Sequence, residues 1–439
     1  MANFPNLFLR NDFCLKGTIT YCIAFITMII IPIYHWYIIP LMILWGVIWL
    51  FEIRFRIKDL QYISLHSKIL FILFISFYIW QIIGMVYSDN PEAGWRNIVL
   101  RISLFLFPLV LISPGELIRQ KVNTLLRLFT LSTFFFLIFC LGYALYRSFI
   151  FKNGVWSYNP HPPVENWLNY FYGSEFAIFH HPSYLSMYAL FSVFIAAESF
   201  FDKSVKQMNR MCWLLVSIYL LISIYLLSSR AEILATIIAI PVYFFYKYRI
   251  TSVKKIVSLF VLIVLICLFI LVPIFKSNPR LSYYFNEESK EEWSSKLLKE
   301  SRLVIWKSSF TIARHHIVFG VGTGDIQDEL NKEYKMTGDK DLSIENNLNS
   351  HNQFLEVLLE NGLIGLLLFL SLFGMIMYIS IKEGNLIYLM FIFIVFVSFL
   401  FETMLNRLAG VSFFALFSFL LPHTSMIRQT LDKSTRLPF

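Results

Sequence analysis

His351 stands in the run Ser350-His351-Asn352-Gln353-Phe354-Leu355, where a long polar stretch gives way to apolar chain. An imidazole at that boundary can take a proton from a hydroxyl near neutral pH. Ser350 with Gln353 three residues later reads as a capping box, making His351 the first residue of a helix. The positive end of that helix favours the neutral ring, and its free N–H groups favour an anion alongside. Two arginines could supply the rest of an anion site. Arg230, in Ser228-Ser229-Arg230-Ala231-Glu232, lies where two apolar runs meet in a tight hairpin. Arg302, Trp306 and Phe310 fall four apart, on one side of a helix expected from Glu291 to Arg314. A guanidinium matches the geometry of phosphate oxygens. The blander readings are that Arg230 caps carbonyls or pairs with Glu232, and that Arg302 is a solvated loop charge. A base beside a phosphate site suits transfer to a hydroxyl, on a substrate half lipid and half sugar.

The elements that must hold these groups are membrane helices. With 57% hydrophobic and only 15% charged residues over 439 positions, the chain is an all-α polytopic membrane protein. Runs long enough to span give about twelve segments. They fall at residues 17–33, 36–53, 69–87, 95–112, 125–150, 183–200, 211–227, 231–246, 256–275, 363–381, 386–401 and 408–421. The first run lacks a small-residue cleavage site and is followed at once by another, so it reads as an anchor. The net charge of +9 would suggest nucleic acid in a soluble protein, but here the basic residues occupy alternate connections. Arg54, Arg56, Lys58 and Lys68 share one, then Arg119, Lys121 and Arg127, then Lys203, Lys206 and Arg210, then Lys247 to Lys255, with Arg428, Lys433 and Arg436 in the tail. The positive-inside rule puts these in the cytoplasm, with both termini.

That topology gathers Arg96, His180, His181, Arg230, Arg302, His351, Glu402 and Arg407 at the outer ends of spans or in outer loops. Arg101, inside an apolar run, is either buried against a partner or lines the same cavity as the others. The organisation is then residues 1–275, nine spans with a small outer loop at 151–181; 276–350, a large outer loop; and 351–439, an interfacial helix stopped by Asn361-Gly362, three spans and a tail. His180-His181-Pro182-Ser183 binds substrate or caps its span, and His315-His316 belongs to the surface. Gly320-Val321-Gly322-Thr323-Gly324-Asp325 has no following Gly-Lys-Ser/Thr and reads as a turn. The five cysteines lack Cys-x-x-Cys spacing, and no His and carboxylate spacing calls for a metal.

The ordered set Ser229-Arg230, Arg302 to Trp306, Gly320 to Gly324, His351 to Gly362 and Glu402 to Gly410 resembles the O-antigen ligase and polymerase superfamily. The likeness covers the second half, from about Arg210 onward; Arg96, Arg101 and His181-Pro182 match more weakly. The resemblance implies a GT-C-like glycosyltransferase of the bacterial inner membrane. It would move a glycan from undecaprenyl pyrophosphate to lipid A core or another hydroxyl acceptor at the periplasmic face, without metal or other cofactor. Arg230 and Arg302 would hold the pyrophosphate and His351 would take the acceptor's proton. Arg96, Arg101, His181 and Asn352 join the substrate-binding set. Polymerases of this kind often carry an arginine with glycine eleven residues later, a pairing absent from this sequence, which favours a ligase. Relatives that modify protein serine or threonine remain open. A lipid-linked glycan transporter is the alternative of a different class, but clean span middles and charge gathered at one face favour an enzyme.

Overall fold

The computed structural model describes residues 5–59, 63–152, 154–162, 168–248, 302–336 and 348–424. The expected span at 256–275, the start of the helix expected from Glu291 and the basic tail lie outside these. Nearly everything described is helical: α1 (Pro5–Ile33), α2 (Ile38–Asp59), α3 (Leu65–Gly84), α4 (Pro91–Leu100), α5 (Ser103–Leu111), α6 (Glu116–Ser148), α7 (Gly173–Phe176), α8 (Pro182–Phe201), α9 (Gln207–Leu227) and α10 (Arg230–Lys247). After the gap come α11 (Arg302–His315), α12 (Ile326–Met336), α13 (Gln353–Lys382), α14 (Leu386–Phe401) and α15 (Leu408–Leu420).

Six helices among the described residues are long and apolar enough to cross a membrane: Leu65–Gly84, Pro91–Leu111, Glu116–Ser148, Pro182–Phe201, Gln207–Leu227 and Gln353–Lys382. Shorter apolar helices cover Gly17–Ile33, His35–Phe51, Leu386–Phe401 and Leu408–His423. Helices α8 and α15 are buried on nearly every side, as predominantly apolar helices at the centre of a bundle are. Around them Phe129, Phe191, Phe391, Phe413 and Phe417 interlock ring on ring, with Phe129 and Phe417 centroids 5.0 Å apart at 68°. Such edge-to-face pairs each add about 0.5–1.5 kcal/mol beyond the area they bury. The outer helices turn Ile72, Ile79, Ile82, Phe135 and Phe139 outward, as lipid-facing surfaces would.

Three departures from the sequence reading have local causes. The run at 95–112 is two helices meeting at Arg101, whose backbone leaves the helical region at φ −90°, ψ 9° to let its side chain turn inward. Chain leaving α6 forms a two-stranded antiparallel hairpin, β1 (Phe149–Lys152) with β2 (Val155–Tyr158), a small exception to the all-α reading. The capping box does not form. Asn352 is the N-cap of α13, its Oδ1 accepting from the Phe354 and Leu355 amides at 3.0 Å each, and His351 precedes the helix at φ 46°. Ser350 is drawn away by Glu356, and Gln353 accepts from the Leu405 amide at 2.7 Å.

The expected stop at Asn361-Gly362 is present as a break inside α13, where Gly362 sits at φ 63°, ψ −165°. A broken helix leaves carbonyls without intrahelical donors. The segment from Ile317 to Gly322 supplies partners: the amides of Val321 and Gly322 donate to the Leu359 and Glu360 carbonyls at 2.8 and 3.1 Å, and the Ile317 carbonyl accepts from the Leu363 amide at 2.8 Å. Trp80 Nε1 donates to the Asn361 carbonyl at 3.0 Å. The glycine-rich segment is therefore a turn, and its purpose is to cap this break. Asp325 fixes its far end, accepting from Ser88 Oγ and from the Asp89 and Asn90 amides at 2.8–2.9 Å.

Candidate functional site

One end of the bundle carries Arg127 on Asp202 and Lys247 on Glu198; the other carries the residues singled out for chemistry. At that second end a cavity of about 420 Å³ is bounded by α4, the start of α8, the turn before α12, the start of α13 and the α14–α15 connection. Arg96, Arg101, His181 and His351 all face it, together with Glu356, Glu402, Asn406 and Arg407.

At its wall His351 Nδ1 lies 3.3 Å from Glu402 Oε2. With the proton on Nδ1 the ring donates to the carboxylate and leaves Nε2 free to accept one. Arg302 approaches the other oxygen of the same carboxylate at 4.0 Å, with its guanidinium 5.5 Å from the Phe401 ring. Burial pushes the Glu402 carboxyl up, but hydrogen bonding and charge from His351, with His181 and Arg302 beyond, outweigh it and hold the group below its ordinary value. An ionised Glu402 is thus shared between an imidazole and a guanidinium.

The backbone carrying His351 is held from three directions. Glu356 Oε2 accepts from Ser350 Oγ at 2.5 Å, Trp306 Nε1 donates to the Ser350 carbonyl at 3.1 Å, and Asn349 Oδ1 accepts from the His351 amide at 3.1 Å. Trp306 therefore turns inward onto the loop, while Phe310 stays exposed. A non-glycine residue at positive φ is costly and persists only where its surroundings dictate it, a pattern that gathers at functional sites.

Behind the cavity, Arg101 answers both alternatives posed by its sequence position: it borders the cavity and is buried against a partner. Its Nη1 donates to both Glu360 oxygens at 2.6 and 2.7 Å and to Gln81 Oε1 at 3.1 Å, and its Nη2 donates to Asn406 Oδ1 at 2.6 Å. Asn406 Nδ2 in turn donates to Glu356 at 2.6 Å. This network ties α4, α13 and the α14–α15 connection together, and a buried pair so arranged contributes position more than stability.

Arg230 is exposed at the start of α10 and is not among the residues bounding the cavity. Its neighbour Glu232 points inward and accepts from Ser398 Oγ at 2.7 Å. Asn352 is engaged as a helix cap. Glu402 and Arg407 are the residues to which sequence reasoning gave no role, although topology placed both at this end. Nothing in the order of residues could pair Glu402 with a histidine 51 positions away. Among the described residues no three His, Cys, Asp or Glu side chains stand together as metal ligands.

Residues 215–370 match the family model described as O-antigen ligase, a stretch that includes Arg230, Arg302 and His351 and stops short of Glu402 and Arg407. No curated protein matches the chain.

Proposed function

Because residues 215–370 match the O-antigen ligase family model, we propose that the chain is a ligase-like glycosyltransferase of the O-antigen ligase and polymerase superfamily. Its reaction moves a glycan from undecaprenyl pyrophosphate to a hydroxyl acceptor such as lipid A core, at the periplasmic face of a bacterial inner membrane. About twelve spans, counting residues 256–275, would carry it. The observation that carries this reading is the His351–Glu402 pair at the wall of an arginine-bearing cavity.

In the proposed step, Glu402 holds the His351 proton on Nδ1, and Nε2 takes the proton of the acceptor hydroxyl. The acceptor oxygen forms a bond to the anomeric carbon of the donor glycan as the bond from that carbon to the pyrophosphate oxygen breaks. The electron pair departs with the pyrophosphate. Arg302, beside the pair, and Arg230 meet the developing charge, in the manner the resemblance implies. Electrostatic stabilisation of this kind is worth about 2.7–4 kcal/mol for one well-placed donor.

Vesicles carrying the full-length protein, a labelled lipid-pyrophosphate glycan and one acceptor at a time test the reading. Label on lipid A core is the expected product. Longer lipid-linked chains would make the protein a polymerase, label on protein an oligosaccharyltransferase, and label moved across the bilayer without transfer a transporter.

A further inference from the structure

Three arginines face the cavity, and only one is neutralised. Arg101 spends its charge on Glu360. Arg96 and Arg407, both exposed toward the opening, make no salt bridge or side-chain hydrogen bond among the described residues. The two carboxylates of the cavity are occupied elsewhere, Glu356 by Ser350 and Asn406, and Glu402 by His351. The chain segments that carry these two arginines are each held in place. Arg96 stands on α4, which is pinned by the Asn97 side chain donating to the Thr323 carbonyl at 2.8 Å. Arg407 is the N-cap residue of α15 and follows Asn406, which Arg101 of the α4–α5 junction grips at 2.6 Å. Two cations at a common opening, with no ion-pair partner among the described residues, form a ready site for an anion.

Whose anion it takes follows from the geometry of displacement. A hydroxyl attacking an anomeric carbon directly enters on the face opposite the leaving group. The base must touch that hydroxyl, and His351 faces the cavity with Arg96 and Arg407. Arg302 meets the opposite oxygen of Glu402 and does not border the cavity. With Arg302 on the pyrophosphate, as in the transfer proposed above, the cavity side of the His351–Glu402 pair is left to the acceptor.

We propose that Arg96 and Arg407 form a seat for a phosphate or carboxylate group on the acceptor, so that the enzyme selects an anionic glycolipid over a neutral one. This rests on the transfer reaction proposed above. Charge-assisted hydrogen bonds of about 1.5–3 kcal/mol correspond to roughly 10- to 100-fold in binding.

The test uses full-length protein in vesicles, a fixed lipid-pyrophosphate donor, and one lipid-anchored glycan acceptor before and after phosphatase treatment. Wild type is expected to favour the phosphorylated acceptor at least about tenfold in kcat/KM. Arg96→Gln and Arg407→Gln should each collapse that preference to about two- to threefold by raising the KM of the phosphorylated acceptor, while Arg407→Lys retains most of it. A preference that survives both Gln substitutions overturns the seat. So does a rise in donor KM with acceptor KM unchanged, which would assign the two arginines to the pyrophosphate. No product from wild type with either acceptor would overturn the transfer reading and this inference with it.

Discussion

Glu402 carries two neighbours on one carboxylate, and its loss should be felt through the imidazole and not through folding. Glu402→Gln preserves shape and removes the charge that fixes the His351 tautomer, so kcat is expected to fall about 100-fold with KM for both substrates little changed, measured on membrane-incorporated protein. An unchanged kcat would remove Glu402 from the mechanism. His180, packed against His35, Phe136 and Tyr188, makes a different statement. Burial pushes its imidazole down to about 3, with His35 adding to this and the carbonyls of Pro32 and Ile33 opposing it weakly. His35 and, at the far end, His423 are also lowered by burial, the latter to about 4. For a histidine depressed on folding, stability is whole above the unfolded value near 6.5 and drains away as pH falls toward the folded value. Glu402, also depressed, begins to cost stability only below the unfolded carboxylate value near 4.3. Acid sensitivity between about pH 6.5 and 4.5 therefore reports the histidines. The thermal midpoint should drop over that window, and His180→Phe, which keeps the ring contacts with Phe136 and Tyr188, should flatten the drop. Equal slopes for both proteins would contradict this. Residue types and topology were enough to bring Arg96, His181, Arg302 and His351 to one end of the bundle, though not to put Arg230 at the cavity. The pairing of His351 with Glu402, and the neutralising of Arg101 by Glu360, were not legible, because each depends on side-chain contacts across distant segments.

At the scale of elements, the broken helix α13 is what places Glu356, Glu360 and the His351 loop in register. Gly362 is held at a positive φ that only glycine adopts freely, and a Cβ there would lie 2.2 Å from the Val318 carbonyl oxygen. Gly362→Ala is expected to cost several kcal/mol through strain and clash and to lower the amount of folded protein in the membrane sharply. Gly374→Ala, on the same helix with open space at its Cβ, should be neutral or gain about 0.5–1 kcal/mol. Similar accumulation of the two variants would show that the break is not required. Hydropathy located the helices well, since a span is a statement about composition over many residues. It did not resolve the division of 95–112 at Arg101, because a single buried ion pair barely alters a hydropathy average. The mistaken capping box has a similar root: Ser350 and Asn352 are both good caps, and Glu356 decides which one is used by holding Ser350 outside the helix.

In the proposed topology of the whole molecule, one end carries the basic loops and the other the chemistry. In a cysteine-free background, a cysteine replacing Lys203 should react with a membrane-impermeant maleimide only from the cytoplasmic side, and one replacing Asp328 only from the periplasmic side. Labelling of both from one side would break the topology. The order of helices and the clustering of polar groups at one end could be read from charge alternation, but the shape of the cavity depends on how α4, α13 and the α14–α15 connection are bolted together by Arg101, Glu360 and Asn406. In the proposed reaction everything turns on His351 removing the acceptor's proton during glycan transfer. Single-turnover transfer from a lipid-pyrophosphate glycan, measured in vesicles for wild type and His351→Ala at equal protein levels, tests it most directly. A loss of about 100-fold or more in the transfer rate is expected, with donor binding retained; transfer at the wild-type rate would remove His351 from the chemistry.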